Sequence, residues 1–169
     1  MRPRLIDLDF TIDAPCFKLY VASGTRQFFS VRFDDDKATV FCPPDTQFSR
    51  PEVQKLLSAA VVRAMKRRAQ QFLPPLLAEL ASMHGLTYKK VRVTGARSKW
   101  GSCTSAGTIN LSCYLMLLPP HLMDYVLLHE LAHTREMNHG QQFYALLNSM
   151  TDGMALQLRS QLRAFRTSF

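Results

Sequence analysis

Residues 120 to 140 read PHLMDYVLLHELAHTREMNHG, and this stretch limits the folds open to the chain. From Leu122 to Ala132 it is almost wholly apolar around its circumference, as in a helix at the centre of a protein. It nonetheless carries His129, Glu130 and His133, and polar groups taken out of water need partners. A helix advances about 1.5 Å and about 100° per residue, so His129 and His133 stand roughly 6 Å apart along the axis and only about 40° apart around it. Two imidazoles on one face can meet one ion, which is the geometric content of H-E-x-x-H. Three fixed residues match by chance at roughly 1 in 8,000 positions, so the apolar context is what strengthens the metal reading. The alternative is a helix whose two histidines each pair with a polar neighbour.

A third ligand is required. On one straight helix His139 would lie about 9 Å beyond His133, too far to share an ion. The helix is therefore expected to end or turn sharply after about Arg135, with Asn138 and Gly140 as suitable turn residues. Three imidazoles with water in the fourth position would make a catalytic zinc site, since a structural site closes that position. Glu136, three residues after His133, competes as third ligand if the helix continues; His139 is the preferred reading. Glu130 can reach a metal-activated water without being a ligand and take its proton.

The chain has 169 residues, enough for one domain with a core that needs no staple. An apolar fraction of 47% and a charged fraction of 20% indicate a folded globular protein. Cys16, Cys42, Cys103 and Cys113 show no C-x-x-C spacing and are expected as free thiols in a reducing cytoplasm. Met1, Arg2 and Pro3 are followed by Asp7, Asp9 and Asp13 rather than by the apolar run of an export leader. No stretch is long and apolar enough for a membrane span, and a cytoplasmic location is expected. The net charge of +8 favours anionic partners. No zinc-finger spacing, G-x-x-G clamp or aromatic sheet motif points to nucleic acid, so such binding stays possible without a motif behind it. Oligomeric state is unconstrained.

Residues 5 to 42 contain the β-rich runs CFKLYVA, QFFSVRF and KATVFC, broken at Ser23-Gly24 and Asp34-Asp35-Asp36, and a small antiparallel meander is the simplest arrangement. A long helix follows, with Ser49 as N-cap and Pro51 and Glu52 just inside it. Its apolar positions recur with helical period, while Lys55, Arg63, Lys66, Arg67 and Arg68 mark a basic face, read as solvated in preference to phosphate-binding. Pro74-Pro75 is expected to kink or divide it. Residues 86 to 93, SKW and TINLS read as strands, and residues 141 to 150 and 153 to 165 as helices. The organisation expected is an N-terminal β region over 1–48 and a second unit over 49–169, packed as one compact body.

The sequence RSKWGSC, followed by INLSCYLMLLPPHLMDYVLLHELAHTREMNHGQQFY, closely resembles the YgjP-like (DUF45) family of metal-dependent hydrolases, relatives of the SprT-like and WLM zinc peptidases. The shared pattern runs from Arg97 to Tyr144; residues 15 to 96 resemble the family more loosely. The resemblance implies an α+β, zincin-like fold, with His129, His133 and His139 as zinc ligands and Glu130 as general base. The chain departs from the family's usual Leu-Asn, aromatic, Arg succession, carrying Leu111, Ser112, Cys113 and Tyr114 there.

Around this centre several residues are candidates for substrate binding. The strand from Thr108 to Ser112, with Asn110 at its middle, is either a candidate edge for pairing with an extended substrate or an ordinary strand within the sheet. Arg97 and Lys99 could bind an oxyanion, a phosphate or a substrate carboxylate. Tyr144 and Tyr114 are alternatives for stabilising an oxyanion. Trp100 and Phe143 are expected to pack, the latter under the ligand turn, and Cys103 to be a buried thiol near the site. The favoured function is a zinc-dependent metallopeptidase acting on a peptide. The alternatives are hydrolysis of a small anionic substrate such as a nucleotide phosphoanhydride, or a DNA-associated role like that of the SprT-like relatives.

Overall fold

The computed structural model describes residues 5–167 and 169; the opening residues read above for a leader lie outside them. Four strands come first: β1 (Thr11–Ala14), β2 (Phe17–Ser23), β3 (Ser30–Asp34) and β4 (Lys37–Cys42). They form one sheet in the order β1-β2-β4-β3. The pairs β1/β2 and β3/β4 are antiparallel, but β2 and β4 run parallel, Leu19 opposite Ala38 and Val21 opposite Val40. The sheet is therefore not the simple meander expected. The reason lies in burial. Ala38, Val40 and Cys42 of β4 are fully enclosed, whereas no residue of β3 is, so β4 takes the interior place and β3 the edge.

Helix α1 (Pro51–Met83) crosses this sheet and continues past it. Leu57, Val61, Ala64, Met65, Ala69, Leu73, Leu77 and Leu80 recur at intervals of three and four and form its buried stripe. The helix starts one residue later than expected. Arg50 is the N-cap and makes no side-chain cap bond, because Pro51 fits the first helical position with its fixed φ and missing N–H. Pro74 and Pro75 do not divide it. The carbonyls they leave without helical donors belong to Gln70 and Gln71, which are exposed and can be hydrated. The basic face is not uniformly solvated. Arg68 donates to the Cys16 carbonyl at 3.4 Å, and the Arg67 guanidinium sits 4.1 Å from the centre of the Phe33 ring.

A second sheet follows, built from β5 (Lys90–Thr94), β6 (Gly101–Cys103) and β7 (Thr108–Ser112) in the order β5-β7-β6. Gly107, with φ of +78°, closes the turn between β6 and β7 by donating to the Thr104 carbonyl at 2.9 Å. β7 is paired on both sides, parallel to β5 and antiparallel to β6. This corrects the expectation that Thr108–Ser112 is a free edge. The edge that packs against the histidine-bearing helix is β6, which begins one residue after Trp100.

A 3-10 turn (Cys113–Leu117) leads to α2 (Pro120–Ala132), and α3 (Gln141–Met150) and α4 (Ala155–Ala164) complete the α+β fold. Helix α2 is buried from Leu122 to Ala132 with two half-exposed positions, Asp124 and His129. One cluster of enclosed apolar side chains runs from Ile6 to Ala155 and draws on both sheets and all four helices. The four cysteines are free. Among the described residues, no helix is long and apolar enough to cross a membrane.

Candidate metal centre

Helix α2 ends sooner than the spacing argument required. His133 is its C-cap, and the amides of Thr134, Arg135 and Glu136 turn back onto the Leu131 and Ala132 carbonyls at 2.9–3.1 Å. The Thr134 hydroxyl adds a bond to the Leu131 carbonyl at 2.7 Å. A second tight turn, in which the Gly140 amide donates to the Asn138 carbonyl at 2.7 Å, sends the chain into α3. These turns return His139 to the end of α2. Its Nε2 lies 3.0 Å from His133 Nε2 and 3.1 Å from His129 Nε2.

Glu136 takes another part. Its backbone carbonyl accepts from His133 Nδ1 at 3.0 Å, which orients the ring and leaves Nε2 unprotonated toward its neighbours. Among the described residues, the three histidines are the one group of three or more histidine, cysteine or acidic side chains whose ligand atoms gather, all within 4.8 Å. The Phe143 ring, fully enclosed, lies 4.5–4.9 Å from all three imidazole centres and closes the site from below. Phe143 therefore packs where the sequence put it.

These nitrogens fit a metal. Imidazoles bound tetrahedrally at about 2.0–2.1 Å hold their nitrogens about 3.3 Å apart. The two contacts of His139 Nε2 are 3.0 and 3.1 Å, and all three ligand atoms lie within 4.8 Å of one another. The electrostatics agree. Burial, followed by the neighbouring His133, His139 and Arg159, lowers the His129 pKa to about 4. Burial also lowers that of His133, against the raising effect of its bond to Glu136. Neutral imidazoles, the form that binds metal, are thus favoured at ordinary pH. His129 Nδ1 is buried and bonds no described residue, so that ring's polar contacts are all on the Nε2 side.

Glu130 is held one residue around the helix from this cluster. Burial pushes its carboxyl up to about 7, opposed by the charge of Lys99. Its carboxyl lies against the backbone of β6. A methyl group placed on Gly101 would come within 2.7 Å of Glu130 Oε1 and 2.8 Å of its Cγ, closer than real contacts allow. Gly101 is the residue that sequence reasoning missed most directly. A glycine inside a strand marks a close approach, and here the approaching group is the candidate base. Cys103, on the same strand, is half-buried with its pKa raised by burial and then by the Glu130 charge, so it is near the site as expected.

The remaining candidates separate. Tyr144 follows Phe143 and its hydroxyl accepts from Arg159 Nη1 at 2.9 Å. Arg159, on α4, acts on His129 and had no signal in the sequence. Asn110 reaches across the sheet to Ser102 Oγ at 3.4 Å. Tyr114 lies in the 3-10 turn under the Arg97 guanidinium, 5.3 Å from its ring centre. Arg97, Lys99, Trp100, Ser112 and Tyr114 line one cavity. Asn110 and Tyr114 thus have established partners away from the histidines, while Lys99 acts on Glu130.

Two solved structures resemble this chain. The metallopeptidase zymogen of Pyrococcus abyssi abylysin is 23% identical with a TM-score of 0.48, covering 53% of this chain and 90% of that one. The metallopeptidase zymogen of Methanocaldococcus jannaschii jannalysin is 21% identical with a TM-score of 0.42, covering 52% and 94%. No curated protein sequence matches. The family described as YgjP-like, metallopeptidase domain, matches residues 18–165, nearly the whole chain, and the chain belongs to that family.

Proposed function

We propose that this protein is a zinc-dependent peptidase in which His129, His133 and His139 hold the metal and Glu130 is the general base. The observation that carries the reading is the convergence of three Nε2 atoms, with contacts of 3.0 and 3.1 Å, at the end of a helix that carries, in the residue after His129, the buried Glu130 carboxyl. Three imidazoles are a donor set suited to zinc. When bound, the ion acidifies a water and polarises a carbonyl oxygen, and three protein ligands leave a position open for both roles.

The chain's own residues supply the rest. Glu130 accepts the proton of the attacking water as its oxygen adds to the peptide carbonyl carbon. As the C–N bond breaks, the same carboxyl returns that proton to the leaving nitrogen. Burial raises the Glu130 pKa in the metal-free chain, which favours acceptance of that proton, and the charge of a bound cation would lower it, which favours the proton's return. Phe143 keeps bulk water from beneath the imidazoles, and the Glu136 carbonyl holds His133 in its ligating tautomer. β6, the sheet edge against α2, offers its free backbone groups to an extended substrate, a role that β7 has no free edge to fill.

The test is Glu130→Gln on zinc-loaded protein against a panel of peptides, with nucleotides alongside. The expected result is a fall in kcat of about 10²–10⁴-fold with the metal retained. A fully active E130Q enzyme would remove Glu130 from the mechanism. Phosphate release from nucleotides with no peptide cleaved would replace the peptidase reading by phosphoanhydride hydrolysis.

A further inference from the structure

Beside β6 lies a cavity of about 410 Å³ with Arg97, Lys99, Trp100, Ser112, Tyr114 and Arg166 in its walls. We infer that it is the subsite by which this peptidase selects a carboxylate on its substrate, an inference that rests on the peptidase reading above. Arg97, Lys99 and Arg166 line this space and, among the described residues, no aspartate or glutamate does. Arg166 Nη1 donates to the Arg163 and Phe165 carbonyls at 2.7 and 3.1 Å, which leaves Arg97 and Lys99 as the cations with no hydrogen-bonded partner among the described residues. The ion pairs among the described residues are Lys18 with Asp13 and Arg50 with Glu52, so none of the three is in a close ion pair, and the carboxylate that feels the charge of Lys99 is Glu130.

Arg97 is pre-organised. Its guanidinium lies 5.3 Å from the Tyr114 ring centre and 5.8 Å from that of Phe169, two rings stacked within 12° of parallel. No hydrogen bond from it to a described residue competes for its donors, and a guanidinium placed over an aromatic ring can still offer a two-pronged bond to a carboxylate. The loop that carries it is fixed too. Ser112 Oγ donates to the Ala96 carbonyl at 2.6 Å and accepts from the Tyr114 amide at 3.2 Å.

The cavity adjoins the reaction centre through the chain itself. Trp100, in the cavity wall, precedes Gly101, which abuts the Glu130 carboxyl. A peptide paired along β6 therefore passes Trp100 into the basic space. At about 3.3 Å per extended residue, the selected carboxylate falls within about three residues of the cleaved bond. An acidic side chain and a chain-terminal carboxylate present the same chemistry.

The experiment uses the zinc-loaded full chain and internally quenched peptides that differ only in Glu, Gln or Lys at each of three positions on either side of the cleaved bond. A second pair carries a free or an amidated C-terminus. The expected result is a kcat/KM ratio of Glu to Gln peptide of tenfold or more at one position, falling toward one in Arg97→Gln and shrinking as salt rises. Preference for the free over the amidated terminus alone would identify the terminal carboxylate as the source. Equal cleavage of Glu, Gln and terminal variants by the wild type, or a preference untouched by R97Q, overturns the inference while leaving the peptidase reading intact. If no peptide is cleaved, that reading fails, and the cavity is judged by binding of the same peptides to zinc-loaded E130Q protein. Tenfold tighter binding of the acidic peptide, lost on adding R97Q, upholds the carboxylate site; equal binding refutes it.

Discussion

The first sheet and the layer formed by β6, α2 and the turn to His139 share one buried cluster, yet they bury different chemistry. In the first, Phe17, Leu19, Ala38 and Val40 fill the interior and no carboxylate or imidazole joins them. In the second, Glu130 and His133 are buried among the apolar residues around them. The buried carboxyl is held near a pKa of 7 and the His129 imidazole near 4, each shifted toward its neutral form mainly by burial. A core that serves folding alone has no use for such groups. The contrast separates the part of the molecule that supports from the part proposed to react.

The widest separation comes from emptying the supporting part. Leu19→Ala, in β2, removes a fully enclosed side chain and is expected to cost about 2–5 kcal/mol of stability. Metal content and turnover per folded molecule should hold at wild-type values, as read by chemical denaturation beside metal analysis. A loss of metal in the folded mutant would join two regions that are separated here.

The reacting part has its own signature in pH. In metal-free protein, Glu130 has a folded pKa of about 7, above its ordinary 4.5, so its contribution is full below 4.5 and lost as pH rises through 7. His129 works in the opposite sense: its folded pKa of about 4 is below 6.5, so stability is lost as pH falls from 6.5 through 4. Glu130→Gln removes the first effect and leaves the second. With chelator present, the mutant's stability should climb more steeply than the wild type's between those limits, diverging by at most about 3 kcal/mol. Parallel pH curves would show that Glu130 is not desolvated as described.

The smallest change tests the seam between β6 and α2. Gly101→Ala adds one methyl against the Glu130 carboxyl, within 2.7 Å of its oxygen. Displacing the proposed base by a fraction of an ångström is expected to lower kcat by about 10–100-fold while metal binding and KM stay near wild type. A G101A enzyme of normal kcat would mean that the carboxyl has room to shift without consequence.

Much of this was legible in the sequence, and the gaps have physical causes. Helical spacing alone required the chain to turn back after His133 for His139 to join, and it does. Apolar alternation located β2 and β4 but says which face a side chain takes, not which strand lies beside it. The parallel pairing of β2 with β4 was invisible for that reason. The same limit made β7 look like an edge, when its enclosed Ile109 and Leu111 belong to a central strand. Arg159 reaches the site from α4 through tertiary packing, which no local spacing encodes. Gly101 did carry a signal, as a glycine beside Trp100 with no need of a turn, but the group it makes room for sits 29 residues later.

The most direct test of the account is bound metal per chain, measured on protein purified without added metal, for wild type and His139→Ala. The account predicts about one zinc per wild-type chain and much weaker binding in H139A, because one of three imidazole ligands is gone. Wild-type protein that takes up no zinc even when it is supplied, or an H139A variant that holds it as tightly, would contradict the three-histidine centre on which the proposed chemistry depends.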